Sequence, residues 1–422
     1  MTTLTATLII TILMIVGFIF NSKIPFALTG FVTILALVWT NVLSLEDALG
    51  FLSNSSIIMI GATFVVAAAL LKTDILDKIV RLLSRLGTSE RIVVTEFCII
   101  MAALSQITQP MVVLSLLCPL IYSTCKSYGI SPARVILPVG FTGIVWVGTI
   151  PIAHGAAAWG RYEALLETMG MPGMGIWDLT LPWLPGCILS LIFVCLWGYK
   201  LCPTVTTGTV EVPEQSNHRT SLPKGKQTAA YIIFLLTTLG MFTSSMTGLN
   251  VTLIACAGAA AVAVFRIMDE KEIYRSLPMG IMFMLAGTLA LAEALVSSGA
   301  GNVIGNLMIS FLGQDSGHLT LMLVFFLTPF VLTQFMSNTA VDSMFSPILL
   351  VTCNTLGINA IPYLSALRVA GSCSVLTPMA TATIPVIMMY GGYRIKDIVK
   401  FSLIPMLIVA ISSMALTLLV SI

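Results

Sequence analysis

Apolar residues run along the chain in long blocks that short polar stretches separate. The first three blocks lie near residues 4–21, 26–44 and 48–71. Each has about the 20 residues that a helix needs to cross the hydrocarbon core of a bilayer. The pattern therefore predicts a series of transmembrane helices. The first block has no basic residue before it and no small-residue cleavage site after it, so we predict that it is a retained span.

Two polar stretches interrupt later blocks in a different way. Residues 333–340 read Thr-Gln-Phe-Met-Ser-Asn-Thr-Ala, between two apolar runs that are each too short to span a bilayer. Residues 105–110 read Ser-Gln-Ile-Thr-Gln-Pro, between the short runs 92–104 and 111–122. Because unpaired polar groups are costly in hydrocarbon, non-helical backbone persists inside a membrane only where it is buried in protein or lines a wet cavity. Transporters place their binding sites at such positions.

Basic residues indicate how the first interrupted pair is arranged. Cytoplasmic loops carry an excess of Lys and Arg, and basic residues lie on both sides of this pair, which predicts a re-entrant hairpin rather than one broken span. The stretch 73–86 mixes charged and apolar residues at helical spacing and is predicted to be an amphipathic helix on the membrane surface. The basic residues that flank the pair of runs 92–104 and 111–122 are Lys72, Lys78, Arg81, Arg85 and Arg91 before it and Lys126 and Arg134 after it.

The second half of the chain repeats the first at an offset of about 225 to 229 residues. Ser105-Gln106 corresponds to Thr333-Gln334, and helix-breaking stretches at 148–155 and 377–383 predict a broken transmembrane helix in each half. The segment 297–318 corresponds to the basic segment 73–86 but has no Lys or Arg. This difference places the two segments on opposite faces of the membrane, so the repeats are predicted to be inverted.

These features together predict an all-α polytopic membrane protein with about ten spans and two re-entrant hairpins. We expect a multi-pass protein of the cell membrane, in a prokaryote the cytoplasmic membrane, with its N-terminus outside. The predicted segments are an N-terminal transmembrane helix at 1–25, a first repeat at 26–198 with its hairpin at 90–126 and its broken helix at 134–170, a cytoplasmic linker at 199–227, and a second repeat at 228–422 with its hairpin at 318–356 and its broken helix at 361–392.

Composition supports a membrane location and argues against other classes of protein. The 422 residues are 57% hydrophobic and 9% charged, and the mean hydropathy of +1.02 far exceeds that of a soluble domain. A net charge of +2 gives no argument for nucleic-acid binding, and no cysteine or histidine spacing suggests a transition-metal site. With no phosphate-binding Gly-x-x-x-x-Gly-Lys motif and no catalytic arrangement, the chain is expected to be neither an ATP-driven pump nor an enzyme, and to use no cofactor besides coupling ions.

The chain resembles the divalent-anion:sodium symporter family, within the wider ion transporter superfamily that includes arsenite and citrate permeases. The resemblance extends from about residue 26 to the end, and rests on Ser337-Asn338-Thr339 at the second turn, Thr377-Pro378 at the second break and the Gly-Gly-Tyr-Arg sequence at 391–394. It implies that substrate carboxylates bind between two hairpin tips with a sodium site beside each tip. It also implies a homodimer formed through scaffold helices.

The predicted site combines this resemblance with the chemistry of the residues. Hydroxyl, amide and free backbone N–H groups at a hairpin tip suit an anion, and neighbouring carbonyl groups suit a small cation. The predicted anion-binding residues are Ser337, Asn338, Thr339, Thr377 and Pro378 in the second half and Thr108, Gln109, Pro110 and His154 in the first half. The predicted cation-binding residues are Thr333, which the resemblance alone places there, Asn338, Asp342, Ser105, Thr108, Gln109 and Gly148.

The first half departs from the family pattern. Its tip reads Thr-Gln-Pro at 108–110, so a glutamine replaces the asparagine and a proline replaces the last hydroxyl residue. His154 stands in the first break, where it is hypothesised to bind an anion, carry a proton, replace part of the cation site or satisfy backbone carbonyls. Asp342 is either a cation ligand or proton acceptor, or a buried acid bonded to nearby hydroxyls. Arg368 is close enough to its helix end to extend outward to the membrane surface, and a structural pairing or an interface anchor is expected for it.

The predicted function is secondary active transport of a small anion, such as a dicarboxylate, sulfate or a related organic anion, coupled to sodium or protons by alternating access. Two alternatives stay open. One is an anion exchanger on the same fold, to which the altered first half points. The other is an arsenite-type efflux permease that works with a partner ATPase. The sequence does not distinguish carboxylate from sulfate, because the tip chemistry suits both.

Overall fold

The computed structural model describes residues 2–20, 24–74, 78, 89–203, 222–312 and 318–421, and every regular element in these ranges is helical. The apolar blocks form the helices that the pattern predicts. In chain order, with the short 3₁₀ turns Phe51–Ser53 and Gly198–Leu201 unnumbered, they are α1 Thr3–Ile19, α2 Phe26–Trp39, α3 Leu45–Gly50, α4 Ser55–Leu71, α5 Glu90–Leu104, α6 Pro110–Tyr128, α7 Ala133–Trp146, α8 His154–Thr168, α9 Thr180–Leu196, α10 Lys224–Phe242, α11 Ser244–Thr247, α12 Val251–Val264, α13 Glu270–Ser276, α14 Met279–Ser297, α15 Ala300–Leu312, α16 His318–Leu332, α17 Asn338–Leu356, α18 Ile361–Ser372, α19 Thr383–Gly391 and α20 Ile395–Ser421.

Four described segments are long and apolar enough to cross a membrane: Leu45–Leu71, Pro110–Tyr128, Met279–Ser297 and Ile395–Leu419. Several further apolar helices are shorter. The segment Pro110–Tyr128 is notable because the sequence pattern predicts it as one arm of a hairpin, yet its 19 residues are enough for a full span. The number of spans and the inversion of the repeats stay predictions.

The four predicted interruptions are all places where one helix ends and another begins. Residues 105–109 separate α5 from α6, and residues 333–337 separate α16 from α17. Pro110 occupies the first turn of α6, where its missing N–H costs nothing, and the Ser337 side chain caps α17 by accepting a hydrogen bond from Ala340 N. The breaks at 147–153 and 373–382 separate α7 from α8 and α18 from α19.

The two largest buried hydrophobic clusters hold most of the described helices together. One cluster includes residues of α1, α2, α4, α8, α14 and α17, and the other includes residues of α5, α6, α7, α9, α19 and α20. Each cluster draws helices from both halves of the chain, so neither half is packed separately. Helices α2 and α14 approach most closely at Gly30 and Gly287, where a Cβ atom at Gly287 would lie 2.4 Å from the carbonyl oxygen of Gly30.

Polar contacts join the end of α4 to the second half. Lys72 Nζ donates to Glu272 Oε1 at 2.5 Å, and this hydrogen bond lowers the pKa of the Glu272 carboxyl. The Tyr231 hydroxyl donates to Asp74, which lowers the pKa of that carboxyl. Most of the amphipathic helix predicted at 73–86 and most of the linker predicted at 199–227 lie outside the described residues. The predicted counterpart at 297–318 contains α15.

Candidate functional site

A glutamine side chain joins the first turn to the first break. Gln106 Nε2 donates to the Trp146 carbonyl oxygen at 2.6 Å and to the Ala102 carbonyl oxygen at 3.0 Å. Its Oε1 accepts from Ile150 N at 3.2 Å and from the Thr149 hydroxyl at 3.4 Å. The side chain is buried. One amide thus gives the Ile150 N–H an acceptor at the start of the break and shares the Trp146 carbonyl oxygen with the N–H and hydroxyl groups of Thr149.

A second glutamine makes the same set of contacts in the second half. Gln334 Nε2 donates to the carbonyl oxygens of Phe330 and Cys373, each at 3.1 Å, and its Oε1 accepts from Leu376 N at 3.1 Å. The Thr377 hydroxyl donates to the carbonyl oxygen of Gln334. Each turn is therefore fixed to the break of its own half by a buried amide that uses both its donor and its acceptor.

The second turn carries an additional polar network next to this bridge. The Thr333 hydroxyl donates to Asn338 Oδ1 at 2.6 Å, and Asn338 Nδ2 donates to the Ser374 hydroxyl at 2.7 Å. Thr333 and Ser374 are buried, whereas Ser337 and Asn338 are half-buried. Asn338 thus connects the start of α17 with the second break, as a residue at a shared binding site would.

The other predicted residues of the second half lie next to these groups in the chain. Thr339, Thr377 and Pro378 are half-buried. Thr377 lies in the break and bonds to the turn through its hydroxyl. The structure therefore brings Thr333, Asn338 and Thr377 to one place, with Ser337 as the cap of the helix that begins there.

The first turn has no such network. Gln109 is exposed and forms no cap hydrogen bond to α6, Thr108 is half-buried, and Pro110 is buried. The Ser105 hydroxyl donates to the Ala102 carbonyl oxygen at 3.1 Å within its own helix. Among the described residues, the polar link between turn and break is therefore made by Gln106 rather than by the residues that the sequence singled out.

Asp342 lies in a buried ion pair that joins the two halves. It pairs with Arg161 of α8 and accepts a hydrogen bond from the Tyr162 hydroxyl. All three residues are buried. The contacts of Asp342 therefore match the alternative of a buried acid bonded to its neighbours, with an arginine as the main partner. A cation ligand at Asp342 would have to compete with a guanidinium group.

Arg368 corrects one sequence-based expectation. Its side chain does not extend outward: its guanidinium carbon lies 5.3 Å from the centre of the Trp183 ring, and its Nε atom is buried. A Cβ atom at Gly148 would lie 2.8 Å from Arg368 Nη2, and the φ of +74° at Gly148 also favours glycine. The expectation fails because neighbouring helices, not distance from the helix end, decide where this side chain points.

His154 begins α8 at the end of the first break. Its ring packs edge-on against Phe64, with 5.2 Å between ring centres, and its Nε2 atom is buried without a hydrogen-bond partner among the described residues. The residue before it, Ala153, has a φ of +41°, which is strained for a side chain with a Cβ. The histidine is therefore at the break, as predicted, and one of its ring nitrogens is unused.

Sequence reasoning did not assign a role to the two bridging glutamines or to Arg161 and Tyr162. The glutamines were visible as a repeated Ser/Thr-Gln pair, which is the signal that could have identified them. Arg161 was visible as a charge within an apolar run. The partner of Arg161 could not be inferred, since Asp342 lies in the other half of the chain. The same carboxylate bonds Tyr162, which is 180 positions away.

Comparison with known protein families decides the class of the chain. The sequence model of the family described as "Citrate transporter" matches residues 8–370, well over half of the 422 residues. The chain belongs to the citrate transporter family. Citrate transporter family proteins are membrane transporters rather than enzymes, so the expected class is confirmed. The resemblance to the ion transporter superfamily is confirmed as well.

The curated relatives of this protein match its sequence over limited segments. It is 31% identical over 137 residues to solute carrier family 13 member 4 of Homo sapiens, covering 32% of this chain and 22% of that protein. It is 29% identical over 133 residues to the sodium-dependent dicarboxylate transporter SdcS of Staphylococcus saprophyticus, covering 31% and 25%. It is 28% identical over 182 residues to the uncharacterized transporter sll0640 of Synechocystis, covering 42% and 28%. The matches thus span about a quarter of the length of these relatives.

Two solved transporter structures share the fold of this protein over nearly its whole length. The YdaH transporter of Alcanivorax borkumensis superimposes with a TM-score of 0.62 and 14% identity, covering 92% of this chain and 88% of that one. MtrF of Neisseria gonorrhoeae superimposes with a TM-score of 0.63 and 13% identity, covering 99% and 94%. At this identity the likeness establishes the fold alone, that of an all-helical polytopic membrane protein.

Proposed function

We propose that this protein is a secondary active transporter of a small di- or tricarboxylate or a related oxyanion, coupled to sodium or protons by alternating access. The observation that carries the proposal is the pair of turns, each fixed to a helix break by a buried glutamine. Broken helices and turns inside a membrane protein are costly unless they are buried in protein or line a wet cavity, and transporters place their binding sites at such breaks. The sodium-dependent dicarboxylate transporter among the relatives supports the proposed anion and coupling ion.

The second half provides most of the proposed site. The start of α17 offers backbone N–H groups and the hydroxyl groups of Ser337 and Thr339, which suit a carboxylate. Asn338 can accept through Oδ1 and donate through Nδ2, and its contacts with Thr333 and Ser374 hold it beside the break. A sodium ion bound there would take oxygen ligands from the same hydroxyl, amide and carbonyl groups. Thr377 and Pro378 complete the proposed anion contacts at the break.

The first half contributes the opposite side of the proposed site. Thr108, Gln109 and Pro110 lie at its turn, and His154 lies at its break with an unused ring nitrogen. In alternating access the anion binds between the two turns while this core moves relative to the scaffold helices. The buried glutamine bridges would keep each turn and its break together during that motion. We also propose inverted repeats, a homodimer and a cytoplasmic membrane location with the linker inside.

Reconstituted transport tests the proposal. Purified protein in proteoliposomes is given labelled succinate, citrate or sulfate under an inward sodium gradient, an inward proton gradient or no gradient. We expect one of these anions to accumulate and one gradient to accelerate its uptake. Asn338→Ala should lower that uptake at least roughly tenfold, because one lost charge-assisted contact is worth about that factor. Asn354→Ala, in an exposed position of the same helix, is the matched control.

The same assay separates the alternatives. No uptake of any anion in the panel under any condition would contradict the proposal. If His154→Ala and His154→Gln transport like the wild type from pH 5.5 to 8, the proposed role of His154 in binding or proton transfer is wrong. Uptake that needs only counter-substrate inside the vesicles and ignores both gradients would indicate an anion exchanger.

A further inference from the structure

Two buried nitrogen atoms at the first break have no hydrogen-bond partner among the described residues. They are Nε of Arg368 and Nε2 of His154. The Arg368 side chain and the His154 backbone lie against Gly148: its Cβ position is 2.8 Å from Arg368 Nη2 and 3.3 Å from the backbone carbon of His154. A buried donor without a partner is costly, and a water molecule, an ion or a ligand can complete it. The first break therefore has one donor, Arg368 Nε, for which the described residues supply no acceptor, and His154 Nε2 is a second donor in the tautomer that carries its proton there.

Charge makes that acceptor an anion. Arg368 lies within electrostatic range of Arg161 and Asp342. The carboxylate of Asp342 already pairs with Arg161 and bonds Tyr162, so the three charged groups leave a net positive charge that belongs to Arg368. A guanidinium group stays protonated inside proteins. The charge is therefore permanent, and within the described ranges it has no carboxylate of its own as a counter-ion.

The guanidinium also occupies the place where a small cation would be favoured. Helix α7 ends at Trp146, and the negative end of a helix dipole attracts positive charge to the residues that follow. Gly148 is the second residue after that end, and Arg368 Nη2 lies beside it. Within the described part of the chain, the turn at 333–337 and the break at 373–382 form no hydrogen bond or ion pair with a Lys or Arg side chain. The two halves thus differ in the source of their positive charge.

We propose that Arg368 is the resident cation of the first half of the site and binds one carboxylate or oxyanion group of the transported anion. This inference rests on the proposed transport function. It assigns to Arg368 the positive charge at the break, in place of the cation predicted for Ser105, Thr108, Gln109 and Gly148. Only the second half then binds a coupling ion.

A fixed charge has a consequence that a bound ion does not have. Sodium leaves the carrier after each delivery, whereas Arg368 returns with the empty carrier. The empty carrier must then reorient with an unpaired charge in its core, and the loaded carrier reorients with that charge neutralised by the anion. Because unpaired buried charge is strongly unfavourable, the loaded form should reorient faster. Exchange of anion for anion should therefore be faster than net uptake.

Counterflow in proteoliposomes tests this inference, with the anion that the wild type transports in the panel assay. Uptake of labelled anion is measured into vesicles that are empty or loaded with unlabelled anion, at the same sodium gradient. We expect the wild type to exchange at least roughly tenfold faster than it accumulates. Arg368→Gln should raise the KM for the anion at least roughly 30-fold, Arg368→Lys should retain part of the affinity, and Arg91→Gln, an exposed arginine, should match the wild type.

The outcomes distinguish this inference from the proposed function. A wild-type KM in folded Arg368→Gln, or net uptake as fast as exchange in the wild type, would overturn the role of Arg368 and leave anion transport standing. The comparison of net uptake with exchange uses only the wild type. It therefore tests the role of Arg368 even if Arg368→Gln does not fold. Absence of transport for every anion in the panel would overturn both.

Discussion

The two halves of this protein share a framework but differ in the groups that the framework presents. In each half a buried glutamine donates to the carbonyl oxygen at the end of one half-helix and accepts from a backbone N–H in the break. Next to that bridge, the second half has the network of Thr333, Asn338 and Ser374, whereas the first half has an exposed Gln109. The comparison teaches that the link between a turn and a helix break can be retained while the polar side chains beside it change.

The largest effect is expected where the two halves are joined by the ion pair of Asp342 and Arg161. Asp342→Asn should destabilise the protein by about 3–5 kcal/mol, because it leaves the buried guanidinium of Arg161 unpaired. The thermal midpoint in detergent measures this loss. The double variant Arg161→Met with Asp342→Leu should recover much of it, since apolar side chains of similar volume remove both charges.

The same variant tests whether Asp342 is a cation ligand. If Asp342→Asn keeps the thermal midpoint of the wild type but loses its response to sodium, the carboxylate binds a cation and does not serve as the structural partner of Arg161.

The bridging glutamines should give the next largest effect, and an equal one in the two halves. Gln106→Ala removes the acceptor of the Ile150 N–H and Gln334→Ala that of the Leu376 N–H, which should cost about 1–3 kcal/mol for each unsatisfied group. Gln109→Ala is the matched stability control, because that side chain is exposed and makes no cap hydrogen bond. Thermal midpoints in detergent compare the three variants. A control-like midpoint in either Gln106→Ala or Gln334→Ala would mean that the shared framework does not depend on its bridge.

A smaller effect is expected at the glycine beside Arg368. Gly148→Ala and Gly170→Ala both place a Cβ at a positive φ, which costs roughly 1–2 kcal/mol. Only at Gly148 does the new atom also meet a neighbour, since Gly170 has open space around it. Gly148→Ala should therefore lower the thermal midpoint further and raise the KM for the anion, whereas Gly170→Ala should leave the KM unchanged. Equal effects on both quantities would show that Arg368 does not depend on this close approach.

The sequence predicted the fold well where local polarity decides it. Polar interruptions within apolar runs predicted the two turns and the two helix breaks, and the composition predicted a polytopic membrane protein. Helix ends need unpaired backbone groups to be satisfied, so their signals lie within a few residues of each end.

The site was less predictable because its contacts join distant parts of the chain. The bridge from Gln106 to Trp146 spans 40 positions, and that from Gln334 to Cys373 spans 39. The direction of Arg368 depends on Trp183 and on the space at Gly148, which belong to other helices. Residue type and spacing can indicate that such a group is unusual, but only the packing of the helices shows what it contacts.

The sodium dependence of anion binding most directly tests the claim that the halves differ in the source of their positive charge. Binding of the transported anion to purified protein is measured across sodium concentrations for the wild type, Asn338→Ala and Thr108→Ala. We expect Asn338→Ala to raise the half-saturating sodium concentration at least roughly tenfold, and Thr108→Ala to leave it unchanged, because Arg368 replaces a cation at the first break. Equal shifts in the two variants would contradict the account, since they would place a bound sodium ion in each half.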